Sequence, residues 1–447
     1  MTDGAGAAAS RDRLLAVAEY VLARARRAGA TGVAVGASIH QGLTVNVRLR
    51  EVETVEYSRD RGVGITVYVG QRKGSASTGD LSRASIDASI DTACAIARHT
   101  EEDACAGLAD ADAMAEAPRE LDLWHPWLLE PEAAIDLGLA IEGAALDHHE
   151  LIRNSEGATV STGHSVSVYA NSHGFRGDRL STRHSLSCSV LAEDGDAKQR
   201  DYHYDVKRSP DALDAAEAIG VEAARRAVAR HGARSVPTCK VPVLFVPETA
   251  RSLLGHLVAA VSGGNLYRGS TFLREAKGEQ LFPSFVDVVE RPFEAAGLRS
   301  TWFDNEGVAT GERALVDAGV LQGYVLSSYS ARKLGLETTG NAGGVHNLTL
   351  KPGQLDFDGL LQELGRGLVV TELMGQGVNL TTGDYSRGAT GFWVEDGAIQ
   401  FPVEGVTIAG NLREMFAGVA AVGSDIDLRA GIRTSGILLD QLTVAGE

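Results

Sequence analysis

From residue 14 the apolar positions recur every three to four residues, at Leu14, Leu15, Ala18, Val21, Leu22 and Ala25, and Gly29 closes the run. That spacing predicts an amphipathic helix with a glycine stop. The period then drops to two. Val33, Val35 and Ala37 alternate with other residues, as do Leu43, Val45, Val47 and Leu49, with a turn expected around Gln41-Gly42 between them. Runs 52–58 and 62–69 extend a meander of antiparallel strands, and SRASIDASIDTACAIARH returns to helical spacing. Residues 1–115 therefore read as an α+β unit. Residues 116–235 form a middle region that opens on the end of a Pro- and acid-rich connector (108–131). A helix over 132–149 and strands over 151–192 follow. A second helix runs to about His231, with Ser209 as its cap and Pro210 at its first position. Residues 236–447 turn to glycine and β-branched residues in short runs such as VPVLFVP, GLVVTEL and GILLDQLTVAG. Asp396-Gly397 marks a hairpin turn within WVEDGAIQFPV. The fold class is α+β: an N-terminal mixed α/β domain followed by a β-rich, barrel-like C-terminal domain.

A length of 447 residues implies two or three domains, and 44% hydrophobic against 6% aromatic residues implies a mainly aliphatic core. The formal net charge of -17 argues against nucleic-acid binding, which needs cations to displace phosphate counterions, and against contact with anionic membranes. The N-terminus lacks the pattern of a signal peptide, and no apolar run approaches spanning length. Cys94, Cys105, Cys188 and Cys239 are scattered without a pairing framework. A cytoplasmic protein is the expectation.

Catalytic motifs are missing. There is no HExxH and no G-x-S-x-G, and Ser330-Ala331-Arg332-Lys333 matches S-x-x-K without its companion elements. Gly375-Gln376-Gly377 follows a strand, but Leu380 stands where a third phosphate-loop glycine belongs. His148-His149 point apart on a helix, and His173, His184 and His203 would need adjacent strands to bring them together. Two polar, glycine-rich segments stand out. TGNAGGVHNL (339–348) reads either as a turn-laden loop or as a groove in which Asn341, His346 and Asn347 bond a peptide backbone. TTGDYSRGATGFW (381–393) offers Asp384, Tyr385 and Arg387, which are not expected all to be core residues; Asp384 and Arg387 read equally well as a local ion pair.

Longer strings carry a resemblance. LLGHLVAAVSGGNLYRGSTFLREAKGEQLFPSF (253–285), STWFDNEGVAT (300–310), SSYSARKLGLETTGNAGGVHNLTL (327–350), the segments 368–416 and 422–446, and EYSRDRGVGITVYVGQRKGSASTGDLS (56–82) together resemble the TldD/PmbA family, on its PmbA (TldE) side. That family implies a two-component zinc peptidase. The TldD kind of subunit carries H-E-x-x-x-H on a helix and a later cysteine, whereas the PmbA kind lacks these ligands. Aligned on Gly264-Asn265-Leu266-Tyr267-Arg268, the ligand-and-base positions here are Gly255, His256 and Ala260, and no cysteine follows in the last part of the chain.

The resemblance therefore implies no catalytic residue, metal or cofactor in this chain, with zinc expected in a TldD-like partner and peptides, unfolded or short, as substrates. It implies an enclosing, substrate-positioning role, in a family also linked to modulation of DNA gyrase and of gyrase-directed toxins. A homodimer is possible when the partner is absent. Leu266, Tyr267, Phe272 and Leu273 are the expected partner-facing residues, the alternative being that they pack within the chain. Two rival readings remain: a peptide-binding or regulatory protein without proteolysis, and a self-sufficient hydrolase with an unrecognised site.

Overall fold

The computed structural model describes residues 4–446. The N-terminal half is built on one antiparallel sheet of β1 (Gly32–Arg48), β2 (Glu51–Val69), β3 (Arg72–Thr78), β4 (Ile152–Asn171), β5 (Arg176–Asp194) and β6 (Ala197–Lys207), in the order β3-β2-β1-β4-β5-β6. Strands from before and after the acidic connector thus share one sheet. Helices α1 (Gly4–Arg27), α2 (Arg83–His99), α3 (Pro131–Leu146) and α4 (Ala216–Ala229) cover it.

The expected turn at Gln41-Gly42 does not form, because β1 runs straight through it, and runs 52–58 and 62–69 are likewise one strand. The alternation never breaks phase. Val33, Val35, Ala37 and Ile39 pack under α1 and α2, while Leu43, Val45 and Val47, on the same face, pack under α3 and α4. Gln41 falls at the seam between these two cores, so a polar residue sits where the pattern alone suggests a turn. The helix expected from Ser209 also starts later. Pro210–Ala212 is a single 3-10 turn with no side-chain bond from Ser209, and α4 begins at Ala216. Buried Asp205 accepts from the Asp214 N–H at 3.1 Å and from Lys207 at 2.7 Å, which holds the intervening chain out of the helix.

The C-terminal half closes a five-stranded barrel. Gly367–Met374 pairs in parallel with β7 (Cys239–Phe245), β7 with Ile437–Ala445, that strand with Ala398–Asn411, that with Asp384–Glu395, and Asp384–Glu395 back with Gly367–Met374. The hairpin turn at Asp396-Gly397 has φ of 52° and 73°, as its sequence demands. A second five-stranded sheet, which includes Val288–Glu290 and Leu348–Leu350, packs against the barrel in one continuous aliphatic core. No helix among the described residues is long and apolar enough to cross a membrane.

Candidate functional site

The helix α5 (Pro247–Ala260) leaves the barrel directly after β7, with Pro at its first position. Leu253, Leu254, Leu257 and Ala260 are buried in the core. Gly255 and His256 lie outside that stripe, and a Cβ built on Gly255 would meet nothing within 4 Å. His256 packs edge to face on Tyr385, ring centroids 6.0 Å apart at 74°. Tyr385 is 1% exposed and belongs to the barrel strand Asp384–Glu395. Arg387, two residues on, shares its face.

Three buried atoms here, His256 Nε2, Tyr385 Oη and Arg387 Nε, have no hydrogen-bond partner among the described residues. Arg387 donates through Nη2 to the Leu373 carbonyl at 3.4 Å, and its guanidinium also lies close enough to the Tyr385 hydroxyl to favour the ionised phenol by charge and hydrogen bonding. Burial, and then the guanidinium of Arg387, hold His256 below its ordinary pKa, so its ring is neutral near pH 7. Burial pushes Tyr385 up to about 12, with nearby Arg387 working the other way. The cluster holds a phenolic O–H inside the barrel core, with a guanidinium and a neutral imidazole that are only partly buried beside it. That set suits a carbonyl or carboxylate oxygen of a peptide.

It does not suit a zinc ion. Gly255 and Ala260 have no side-chain ligand atom, one imidazole is too few, and a guanidinium stands beside it. Among the described residues no group of three or more His, Cys, Asp or Glu is placed to hold a metal.

At the other end of α5, roughly 12 Å along the axis, Pro247 and Glu248 line a cleft of about 930 Å³ between β6, α4 and the barrel. Its wall is an ion network. Glu248 accepts from Arg226 at 3.1 Å and Arg429 at 2.9 Å, and Asp427 accepts from Arg251 and, at 2.8 Å, from Arg429. Phe357, Ile399, Phe401 and Leu428 give the same cleft apolar surface. No motif in the sequence signals these residues, which come from distant segments.

The expected groove residues separate. Asn341, His346 and Asn347 are buried and do not line a groove. The reason is Glu290, also buried, whose carboxylate accepts from the His346 N–H at 2.7 Å, His346 Nδ1 at 2.9 Å, Asn341 Nδ2 at 2.7 Å and Arg313 Nε at 2.9 Å. Asn347 Nδ2 donates to Ser300 Oγ at 2.7 Å, and its carbonyl accepts from Arg433 Nη2 at 3.1 Å. This loop is an internal polar lock. Asp384 is exposed and accepts from Thr382 Oγ1 at 2.6 Å, and Arg387 turns to Leu373.

The partner-facing quartet also divides. Leu266 and Leu273, 1% and 0% exposed, are core residues of this chain, corrected from surface to interior because α6 (Gly263–Arg268) packs Leu266 against Leu326 and Ala331, and the turn after it buries Leu273 in the barrel core. Tyr267 and Phe272 are half-buried, Tyr267 against Tyr329 and Phe272 against Phe416.

The three strand histidines do not converge. His184 bonds Thr162 and the His125 carbonyl, each at 2.8 Å, His203 pairs across from Cys188, and His173 sits in the turn after β4. Lys333 of the S-x-x-K match is engaged by Asp103 at 2.9 Å.

Comparison with known proteins places this geometry in context. Models of the PmbA/TldA metallopeptidase domains match in chain order: domain 1 over residues 33–97, the central domain over 124–230 and the C-terminal domain over 238–446. Metalloprotease PmbA of Escherichia coli O157:H7 is 46% identical over 416 residues, spanning 93% of this chain and 92% of its own. Among solved structures, a candidate modulator of DNA gyrase from Bacteroides thetaiotaomicron superposes with a TM-score of 0.92 at 26% identity, covering 96% of this chain and 98% of its own. TldE from Thermococcus kodakarensis has the same fold, with a TM-score of 0.85 at 21% identity, covering 96% of this chain and all (100%) of its own.

Proposed function

The chain belongs to the PmbA/TldD metallopeptidase family, and we propose that it is the metal-free, substrate-positioning subunit of a heteromeric peptidase whose zinc is held by a TldD-like partner. One observation carries this reading. At the positions where a zinc-binding helix would carry its ligands, α5 has Gly255 and a buried Ala260, while beside them His256 Nε2 and Arg387 Nε lack hydrogen-bond partners among the described residues. A zinc ion would supply an activated water and a Lewis acid, and both are assigned to the partner. The residues of this chain bind and orient. Arg387 and neutral His256, the half-buried members of the cluster, hold a peptide oxygen, Tyr385 backs the His256 ring from the barrel core, and the cleft beside Glu248 accommodates a further stretch of an unfolded or short peptide.

The role requires no membrane and no nucleic acid, and we place it in the cytoplasm. The link of one structural relative to DNA gyrase modulation makes peptides acting on gyrase a candidate substrate class.

The experiment is cleavage of denatured casein and short peptides by the purified chain, by a co-expressed TldD-type subunit, and by their complex. Activity confined to the complex, lowered far less by His256→Ala than by mutation of the partner's catalytic Glu, supports the proposal. Cleavage by this chain alone overturns it in favour of a self-sufficient hydrolase, and binding without cleavage in the complex overturns it in favour of a peptide-binding protein.

A further inference from the structure

The cations that line the cleft between β6, α4 and the barrel are all engaged. Lys207 meets Asp205 at 2.7 Å, and Arg225 and Arg226 each meet Glu222 at 2.7 Å. Arg226 and Arg429 also meet Glu248, at 3.1 and 2.9 Å, and Asp427 takes Arg429 as well. Arg225, the most exposed of the four, is gripped by both oxygens of Glu222, at 2.7 and 2.8 Å. Burial, and then Arg226 and Arg429, hold His203 below its ordinary pKa, so this imidazole adds no charge near pH 7. Of the acids in the wall, Asp201 is taken by Arg230 at 3.2 Å. Two acids are left over. Asp214 and Asp425 are exposed, and neither forms an ion pair with a described residue.

The loop that carries Asp425 is pinned from behind. Buried Asp427 donates its N–H to the Thr434 carbonyl at 3.0 Å, accepts from the Arg429 N–H at 2.9 Å and pairs with Arg251. Because Asp427 and Arg429 turn into the ion network, Leu428 between them is left 56% exposed. The same cleft exposes Phe357, by 39%, and Ile399, by 43%, beside partly buried Phe392 and Phe401. Large apolar side chains held open to water in a concave site mark a binding surface.

We propose that this cleft is a subsite for a basic residue flanked by apolar ones, with the Lys or Arg cation drawn to Asp214 and Asp425 and its neighbours resting on Leu428, Ile399 and Phe357. On the peptide-positioning reading, from which this follows, the cleft gives the complex a preferred substrate class. An acidic segment would have to displace a carboxylate already held by a guanidinium, whereas a basic one meets acids that have no partner. The net charge of -17 attracts the same sign of ligand from a distance.

The test is isothermal titration calorimetry of the full-length chain, without any partner, at low salt. The probes are N-acetylated, C-amidated peptides that carry Lys, or Glu in its place, between Leu and Phe, so that the two differ only in that side chain. The Lys peptide binds more tightly on the order of tenfold, an advantage that shrinks as salt is added. Asp214→Asn combined with Asp425→Asn removes the preference, Asp425→Lys shifts it toward the Glu peptide, and Leu428→Ser weakens both peptides severalfold. Thermal melts serve as the fold control for these exposed positions. Failure to bind the Lys peptide, equal affinity for the two, a preference that survives the double Asn variant, or indifference to Leu428→Ser overturns the proposal. None of these results touches the metal-free positioning role, which is read from cleavage by the complex.

Discussion

Tyr385 and His256 meet edge to face with ring centroids 6.0 Å apart, and the polar tip of each is buried without a hydrogen-bond partner among the described residues. An unsatisfied buried hydroxyl costs stability, about 1–3 kcal/mol. A fold keeps such a group for something other than holding itself together. Tyr385→Phe should therefore leave the isolated chain as stable as before or more stable by about 1 kcal/mol, while raising the peptide KM of the complex with little change in kcat. Destabilisation of the isolated chain in a denaturant melt would show that the hydroxyl serves the fold.

Glu290 provides the opposite case, a buried carboxylate with every partner supplied. Burial alone would raise its pKa, but the hydrogen bond from His346 and the charge and hydrogen bond of Arg313 outweigh that, and the group is held below its ordinary 4.5. A depressed carboxylate contributes stability that is present above its unfolded pKa and lost as pH falls through the folded one. The wild type should lose stability on acidification below about pH 4.5, and Glu290→Gln should lose less over that window. At pH 7 the substitution should cost about 3 kcal/mol, because Arg313 is left without its counter-ion. A melt at pH 7 that is unchanged in Glu290→Gln would contradict this.

Gly220 marks the crossing of α3 and α4, where a Cβ would lie 1.9 Å from the Ile141 carbonyl oxygen. Backbone cannot yield as a flexible side chain does. Gly220→Ala should cost about 3 kcal/mol in urea unfolding, at the upper end of overpacking effects. Stability equal to the wild type would mean that the two helices separate freely.

Leu273 is fully buried in the barrel core. Leu273→Ala should destabilise the isolated chain by about 3 kcal/mol, measured without any partner present. A variant that melts like the wild type but no longer co-purifies with a TldD-type subunit would return this residue to the interface.

The four helices of the N-terminal half, apart from the start of α4, the Asp396-Gly397 turn and the barrel-like character of the C-terminal half are legible because each depends on local period or turn chemistry. Where reading failed, the determinant lay far along the chain. The segment Asn341–Asn347 reads as a solvated loop because its residues are polar, yet the acid that buries it is Glu290, in another strand. Gln41 reads as a turn because the seam between two helix pairs has no local signature. Leu266 and Leu273 read as surface because glycines flank them, and only distant residues enclose them, Leu326 and Ala331 around Leu266 and the barrel core around Leu273. The sequence marks Tyr385 as a candidate, but its pairing with His256 joins a strand to a helix and follows from neither alone.

The central claim, that this chain positions peptide and holds no metal, is tested most directly by zinc analysis of the chain purified alone and in complex with a TldD-type subunit. The isolated chain should contain far less than one zinc per molecule, and the complex should carry zinc that follows the partner subunit when the two are separated. One tightly held zinc per isolated chain, removed by a chelator with loss of fold or of activity, would contradict it.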